Sequence, residues 1–237
     1  MLVVVSQMLA DLPHLAELDI NPLWADHEGA IALDARIRVS PTPVAGAERF
    51  AVLPYPAELA DTVPWRGRTL TLRPIRPEDE AQHLAFIEQL APEDIRLRFF
   101  SSRRELPRSE LARLVQIDYA REMAFVALAK RADGTTETLG VVRAVADPDN
   151  TEAEFAIIVR TDVKGQGLGH LLLGKMIRYL RDNGTQRMVG EVLNENQAMR
   201  ELALAHGLRA DAATSSAGSV RYELRLQQDH DPQVRTA

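Results

Sequence analysis

Residues 68–226 predict an α+β fold built on a mixed β-sheet, and three observations carry that reading. Three strand-like segments follow one another closely, Met123–Lys130, Leu139–Ala146 and Ala153–Arg160. A glycine-rich turn at 165–169 then opens directly into a helix. A strand, a helix and a last strand complete the chain order. Strands in a row followed by strand–helix alternation is the pattern of a mixed sheet with helices packed on it.

Leu70-Thr71-Leu72-Arg73 alternates like a strand. Pro77-Glu78-Asp79-Glu80 opens a helix, with proline early and acids in the first turn, and Leu84, Ile87 and Leu90 continue it at helical spacing. A further helix begins near Pro107-Arg108-Ser109-Glu110, with Leu111, Leu114 and Val115 on one face. Gly134 and Asp147-Pro148-Asp149-Asn150 supply the turns between the three strands. After the glycine turn, Leu168, Leu172, Met176 and Tyr179 line one helix face, and Asn183-Gly184 ends it in a left-handed cap. Arg187–Leu193 reads as a strand, Asn196–His206 as a helix stopped by Gly207, and Val220–Leu226 as the closing strand.

Composition narrows the chemistry. The 237 residues are 46% hydrophobic but only 5% aromatic, so the core is aliphatic. With no cysteine, the chain has no disulfide, no thiolate nucleophile and no cysteine-based zinc site. A net charge of −6 argues against nonspecific nucleic-acid binding. No apolar run reaches the roughly 18 residues of a membrane span, and Met1-Leu2-Val3-Val4-Val5 lacks the basic region and cleavage site of a leader. A cytoplasmic protein is the expectation. The six histidines, at 14, 27, 83, 170, 206 and 230, form no metal-ligand spacing, and no Gly-x-Ser-x-Gly elbow occurs. Neither a metal hydrolase nor a serine hydrolase is indicated.

The stretch Phe155–His170 carries most of the functional information. Gly165, Gly167 and Gly169 let the backbone approach a ligand and leave N–H groups able to donate. A helix starting inside the turn adds partial positive charge, which suits a phosphate or pyrophosphate; a plain surface turn rich in glycine is the other reading. It is not a Walker A loop, because His170 and Leu171 follow Gly169. Gly-x-Gly-x-Gly spacing also differs from the dinucleotide fingerprint.

The turn Lys164-Gly165-Gln166-Gly167-Leu168-Gly169 resembles the acyl-CoA loop of the GCN5-related N-acetyltransferases, whose motif is Gln/Arg-x-x-Gly-x-Gly/Ala. The departure is Lys164, a point charge without the planar fork of arginine, so the pyrophosphate is expected mainly on backbone N–H groups. Glu191-Val192-Leu193-x-x-Asn196-x-x-Met199-x-x-Leu202 through Gly207-Leu208 resembles a second segment of that family. Leu72–Asp79, Pro92–Phe100 and Ile117–Phe125 narrow the likeness to the acetyltransferase domain of Pat-type bacterial protein lysine acetyltransferases. The resemblance implies a mostly antiparallel mixed sheet with a central splay, flanked by helices on both faces.

A separate likeness covers the first forty residues. Glu17–Leu23 followed by Ile31–Ala35 resembles the C-terminal end of ATP-grasp subunits of NDP-forming acyl-CoA synthetases. In that family an Asn and an Asp hold magnesium, and they would fall on Asn21 and Asp34, oxygen ligands suited to a hard cation. The rest of such a domain is absent, so the segment is read as catalytically inert, with no metal assigned, and a larger synthetase-like parent chain is one explanation. The expected organisation is 1–40 as this remnant, 41–67 as a proline-rich linker, 68–228 as the acetyltransferase domain and 229–237 as a disordered tail.

By the same resemblance, acetyl-CoA is the acyl donor, its pantetheine arm pairs with backbone groups of Ile157, Ile158 and Val159 like an added strand, and the Ile158 N–H faces the thioester oxygen. Lys164, Gly165, Gln166, Gly167, Leu168, Gly169 and His170 form the cofactor loop, and Asn196 sits at the mouth of the splay. Asn196 also suits a helix N-cap. A lysine amine has a free pKa of about 10.4, so fewer than roughly one in a thousand is neutral at pH 7, and a base is needed. Strand period two puts Glu154 on the face of Ala156 and Ile158, making it the first candidate ahead of Glu152 and Glu191. Where many relatives carry an acidic tyrosine, this chain has Ala203. The expected acceptor is a lysine of a protein, an acyl-CoA synthetase among them. A small-molecule amine acetyltransferase and a non-catalytic acyl-CoA sensor stand as alternatives, since a fold does not fix an acceptor.

Overall fold

The computed structural model describes residues 2–27, 29–42, 53–100, 108–211 and 218–227. The predicted tail at 229–237 and residues 43–52 of the predicted linker lie outside the described residues. The chain divides into two compact units, Met1–Pro56 and Ala57–Ala237.

In the first unit a helix, α1 (Leu2–Asp11), precedes four short strands, β1 (Leu15–Ile20), β2 (Leu23–Ala25), β3 (Ala30–Ala32) and β4 (Ala35–Val39). β1 pairs antiparallel with β4, and β2 with β3. Leu15 is buried, while Trp24 is 64% exposed and Ile31, Leu33, Ile37 and Val39 are exposed as well. The Asn21 N–H donates to the Asp34 carbonyl at 3.2 Å. Asn21 and Asp34, the positions where the resembled family's magnesium ligands would fall, are therefore neighbours through the backbone. Among the described residues no group of three or more His, Asp or Glu side chains gathers as a metal site.

The second unit starts earlier than predicted. Strand β5 (Asp61–Trp65) pairs antiparallel with β6 (Arg68–Pro74) at the edge of the main sheet. The prolines that suggested a linker are compatible with this, because Pro64 sits on an edge strand, where a missing N–H costs no ladder bond. Helices α2 (Glu80–Glu88), α3 (Pro92–Phe99) and α4 (Arg108–Val115) follow. Then come β7 (Glu122–Lys130), β8 (Thr136–Ala146), β9 (Glu152–Val159), α5 (Leu168–Asp182), β10 (Arg187–Leu193), α6 (Gln197–Ala205), β11 (Arg209–Asp211) and β12 (Ser219–Arg225). β5, α3 and β11 are additions to the elements read from sequence.

The eight strands lie in the order β11-β12-β10-β9-β8-β7-β6-β5. Every pairing is antiparallel except β9 with β10. Successive residues of β7 point to opposite faces, so Phe125 and Val126 belong to different cores. One core packs Phe125, Met123 and Phe155 against α5 through Leu168, Leu172, Leu173, Met176 and Leu180. The i, i+4, i+8 recurrence of these leucines and methionine builds that apolar face. The opposite core joins Val126, Leu128 and Val141 to Phe86 and Ile87 of α2 and Val115 of α4. Buried Lys175 of α5 donates to Asp61 at 2.5 Å and to the Leu59 carbonyl at 2.7 Å, tying the β5 edge down. Among the described residues no helix is long and apolar enough to cross a membrane.

Candidate active site

The parallel pairing of β9 and β10 covers only Glu152 with Arg187, Ala153 with Met188 and Glu154 with Val189. Beyond Glu154 the strands part, so the backbone of Phe155–Val159 has β8 on one side and no ladder partner on the other. Gly190 stands at the parting, where a Cβ would lie 2.5 Å from the Phe155 ring. A cleft of about 660 Å³ opens there, a size that suits a nucleotide-bearing cofactor arm.

From β9 the chain passes through one 3-10 turn at Thr161–Val163 into the glycine turn. Gly165 and Gly167 hold φ of 68° and 85°, left-handed values that glycine adopts without steric cost. Gly167 is the N-cap of α5, and the first turn of that helix contains no acid. Its leading N–H groups and the positive end of the helix dipole are presented to the cleft. Trp65 donates its indole N–H to the Gln166 carbonyl at 2.9 Å, pinning the turn from β5. At the end of β9, Arg160 pairs with Glu137 at 2.7 Å and Asp162 at 2.6 Å.

Of the residues singled out by sequence, Glu154, Ile157, Ile158, Val159, Lys164, Gly165, Gly167, Gly169, His170 and Asn196 line this cleft. Two of the loop side chains do not. Leu168 is core, packed under α5, because it begins the buried leucine face. The Gln166 side chain donates to the Asp162 carbonyl at 3.2 Å. Lys164 lines the cleft but is ion-paired with Asp94 of α3, a buried carboxylate that also accepts from Thr161 Oγ1 at 2.6 Å. Asn196 Oδ1 caps α6, accepting from the Met199 N–H at 3.1 Å, and still faces the cleft. His170 and His206 stack at 5.2 Å, with Nδ1 and Nε2 3.2 Å apart. Ala203 is buried.

The three glutamates separate clearly. Glu154 is exposed to the cleft, on the face of Ala156 and Ile158. Glu191 also lines the cleft and accepts from Ser219 at 3.3 Å. Glu152, ranked above Glu191 from sequence, is bound by Arg187 at 2.8 Å and Arg221 at 2.6 Å, so its charge is already spent. Those arginines come from β10 and β12, strands whose adjacency the chain order does not reveal. Sequence reasoning also missed Trp65 and the α3 residues Asp94 and Arg98 as parts of the site.

A splayed sheet, a glycine turn on a helix N-terminus and a carboxylate beside the open strand define an acyl-CoA-dependent N-acyltransferase that uses acetyl-CoA as donor. The chain belongs to the GNAT acetyltransferase family, residues 69–209 matching the acetyltransferase (GNAT) domain. Residues 1–39 match the ATP-grasp domain. An acetyltransferase of Pseudomonas aeruginosa is 32% identical over 160 residues, 68% of this chain and 86% of that protein. Acetyltransferase Pat of Mycolicibacterium smegmatis is 33% identical over 141 residues, 57% of this chain but 40% of the relative. The crystal structure of the GNAT domain of S. lividans PAT superposes with a TM-score of 0.65 at 27% identity, covering 73% of this chain and 99% of that one.

Proposed function

We propose that the protein is a cytoplasmic protein lysine acetyltransferase, acyl-CoA synthetases being among its acceptors, with Glu154 as the general base. The observation that carries this is a cleft-facing carboxylate on the open strand, two residues before Ala156 and four before Ile158. In this reading the pyrophosphate of acetyl-CoA sits on the N–H groups of Gly165, Gly167, Gly169 and His170. The pantetheine arm adds to Ile157–Val159 as a strand, and the Ile158 N–H donates to the developing oxyanion. Asn196 holds the arm at the mouth of the splay.

Glu154 takes a proton from the acceptor ammonium, directly or through one water, and the neutral amine attacks the thioester carbonyl. The C–N bond forms, the C–S bond breaks and the CoA thiolate leaves, protonated from solvent because Ala203 offers no acid. The Pat-type relatives support a protein acceptor. So does the match of residues 1–39 to an ATP-grasp domain, which links the chain to synthetase-like sequence.

Thiol release from acetyl-CoA, measured with a purified acyl-CoA synthetase as acceptor, tests the reading. Glu154→Gln is expected to lower kcat by about 10²–10⁴-fold while CoA affinity holds within about threefold. Equal turnover in the variant would pass the role to Glu191. Turnover of polyamines or amino acids with no protein labelling would sink the protein-acceptor assignment.

A further inference from the structure

A second, inner pocket of about 20 Å³ opens beside Ala156 and Ile158. Arg98, Phe99, Ala156 and Ile158 line both it and the main cleft, so the two spaces adjoin along β9. The register explains what faces inward: Arg143 of β8 lies opposite Ala156, and Val141 lies opposite Ile158. His83 of α2 and Arg98 of α3 close the space from the helical side.

The three cationic or ionisable groups here are not equivalent. Arg143 is satisfied by Glu122 and the Leu114 carbonyl. Arg98 has the ring of neighbouring Phe99 beneath it, at 4.8 Å, and feels the opposing charge of Glu154, but makes no ion pair or hydrogen bond among the described residues. Burial, with Arg143 nearby, lowers Arg98 to about 10, so it remains charged at neutral pH. His83 is 5% exposed and its Nδ1 is buried without a partner. Burial, again with Arg143, holds it neutral, with a pKa of about 4. Among the described residues the guanidinium of half-buried Arg98 has no hydrogen-bond acceptor, although the Glu154 charge acts on it, and the buried His83 ring nitrogen is unmet; one bound anion would engage both. The small volume admits little beyond a water-sized group, which excludes long apolar chains and fits a short polar terminus.

We propose that the cleft accepts, besides acetyl-CoA, short acyl-CoA donors ending in a carboxylate, the malonyl and succinyl class, whose carboxylate is held by Arg98 and His83. The inference rests on the reading above that the thioester lies beside Ala156 and Ile158. Transfer follows the same course: the acceptor N–C bond forms, the C–S bond breaks, the amine proton passes to Glu154 and the thiolate is protonated from solvent. The distal carboxylate is unchanged, so an acceptor lysine goes from positive to negative rather than to neutral.

Calorimetric binding of CoA, malonyl-CoA and isovaleryl-CoA to the full chain tests this without an acceptor. Isovaleryl has the shape of malonyl but no charge. Malonyl-CoA is expected to bind at least about tenfold tighter, Arg98→Gln to bring the ratio near one, and Arg98→Lys to restore part of it. The ratio cancels any loss common to all donors. Should Arg98→Gln fail to bind CoA at all, the wild-type ratio and those of Arg98→Lys and His83→Leu decide. A wild-type ratio near one, or a ratio that survives Arg98→Gln, overturns the proposal. Absence of transfer from every donor to every acceptor would instead sink the acetyltransferase reading while the binding ratio still stood.

Discussion

One wall of the cleft is backbone and the other is side chains. The turn from Lys164 to Gly169, with the first turn of α5, presents N–H groups, and its geometry depends on glycine at left-handed positions. Across from it, α3 presents Asp94, Arg98 and the ring of Phe99, and Phe100 follows at its C-cap. A backbone site tolerates changes in neighbouring side chains but not in conformation; a side-chain site does the reverse. The contrast also assigns work. The glycine wall suits the part of acetyl-CoA that never changes, whereas the helical wall can vary with the acyl group and the acceptor. Each wall is braced by an ion pair, Glu137 with Arg160 under the turn and Lys164 with Asp94 at the top of α3.

The largest expected effect comes from removing the brace beneath the glycine wall. Burial alone would raise the Glu137 carboxyl, but the guanidiniums of Arg160, Arg68 and Arg131 outweigh it and hold the group at about 2. Its folded pKa lies below the ordinary value of 4.5. The stabilisation is therefore fully present above that value and is lost as pH falls towards 2. Glu137→Gln should lower stability by about 2–3 kcal/mol at pH 7, a gap that closes between pH 4.5 and 2 in denaturant titrations. His83, held near 4 by burial, destabilises both proteins between 6.5 and 4 and cancels from the difference. A gap independent of pH would mean that packing, not charge, supports the turn.

Next in size is the turn itself. An alanine Cβ at 167 would meet nothing within 4 Å, so Gly167→Ala tests conformation alone. The left-handed φ should cost about 1–2 kcal/mol, and CoA affinity should fall about tenfold as the helix N-terminus turns away. Unchanged affinity would show that the turn does not carry the pyrophosphate.

These two walls were unequally legible from the chain. The glycine turn, β7–β9 and α5 are local patterns, and Glu154 follows from strand period two. What escaped depends on partners far apart in sequence. Trp65 reaches Gln166 across 101 positions, and its strand was hidden by Pro64. The helix Pro92–Phe99 buries Asp94 rather than an apolar stripe, so no hydrophobic period announces it. Arg98 becomes a site residue only once α3 lies over Ala156 and Ile158. Glu152 ranked too high because Arg187 and Arg221 sit on strands that only the folded sheet brings beside it.

The smallest effect discriminates most sharply between the two walls, because Lys164 belongs to the glycine turn yet is bound by α3. Its side chain is 45% exposed, whereas Asp94 is 6% exposed. Lys164→Ala leaves a buried carboxylate with Thr161 as its remaining side-chain partner. Solvent screening at the lysine limits the loss to about 1 kcal/mol. Adding Asp94→Asn removes the stranded charge, and the double variant should recover about half of that loss. CoA affinity should drop less than threefold in either protein if, as proposed, the pyrophosphate is held by backbone N–H groups. A tenfold or greater drop in Lys164→Ala that Asp94→Asn leaves untouched would make the lysine a direct phosphate ligand. The glycine wall would then be a side-chain site after all, and the division of labour between the walls would fail at its most exposed point.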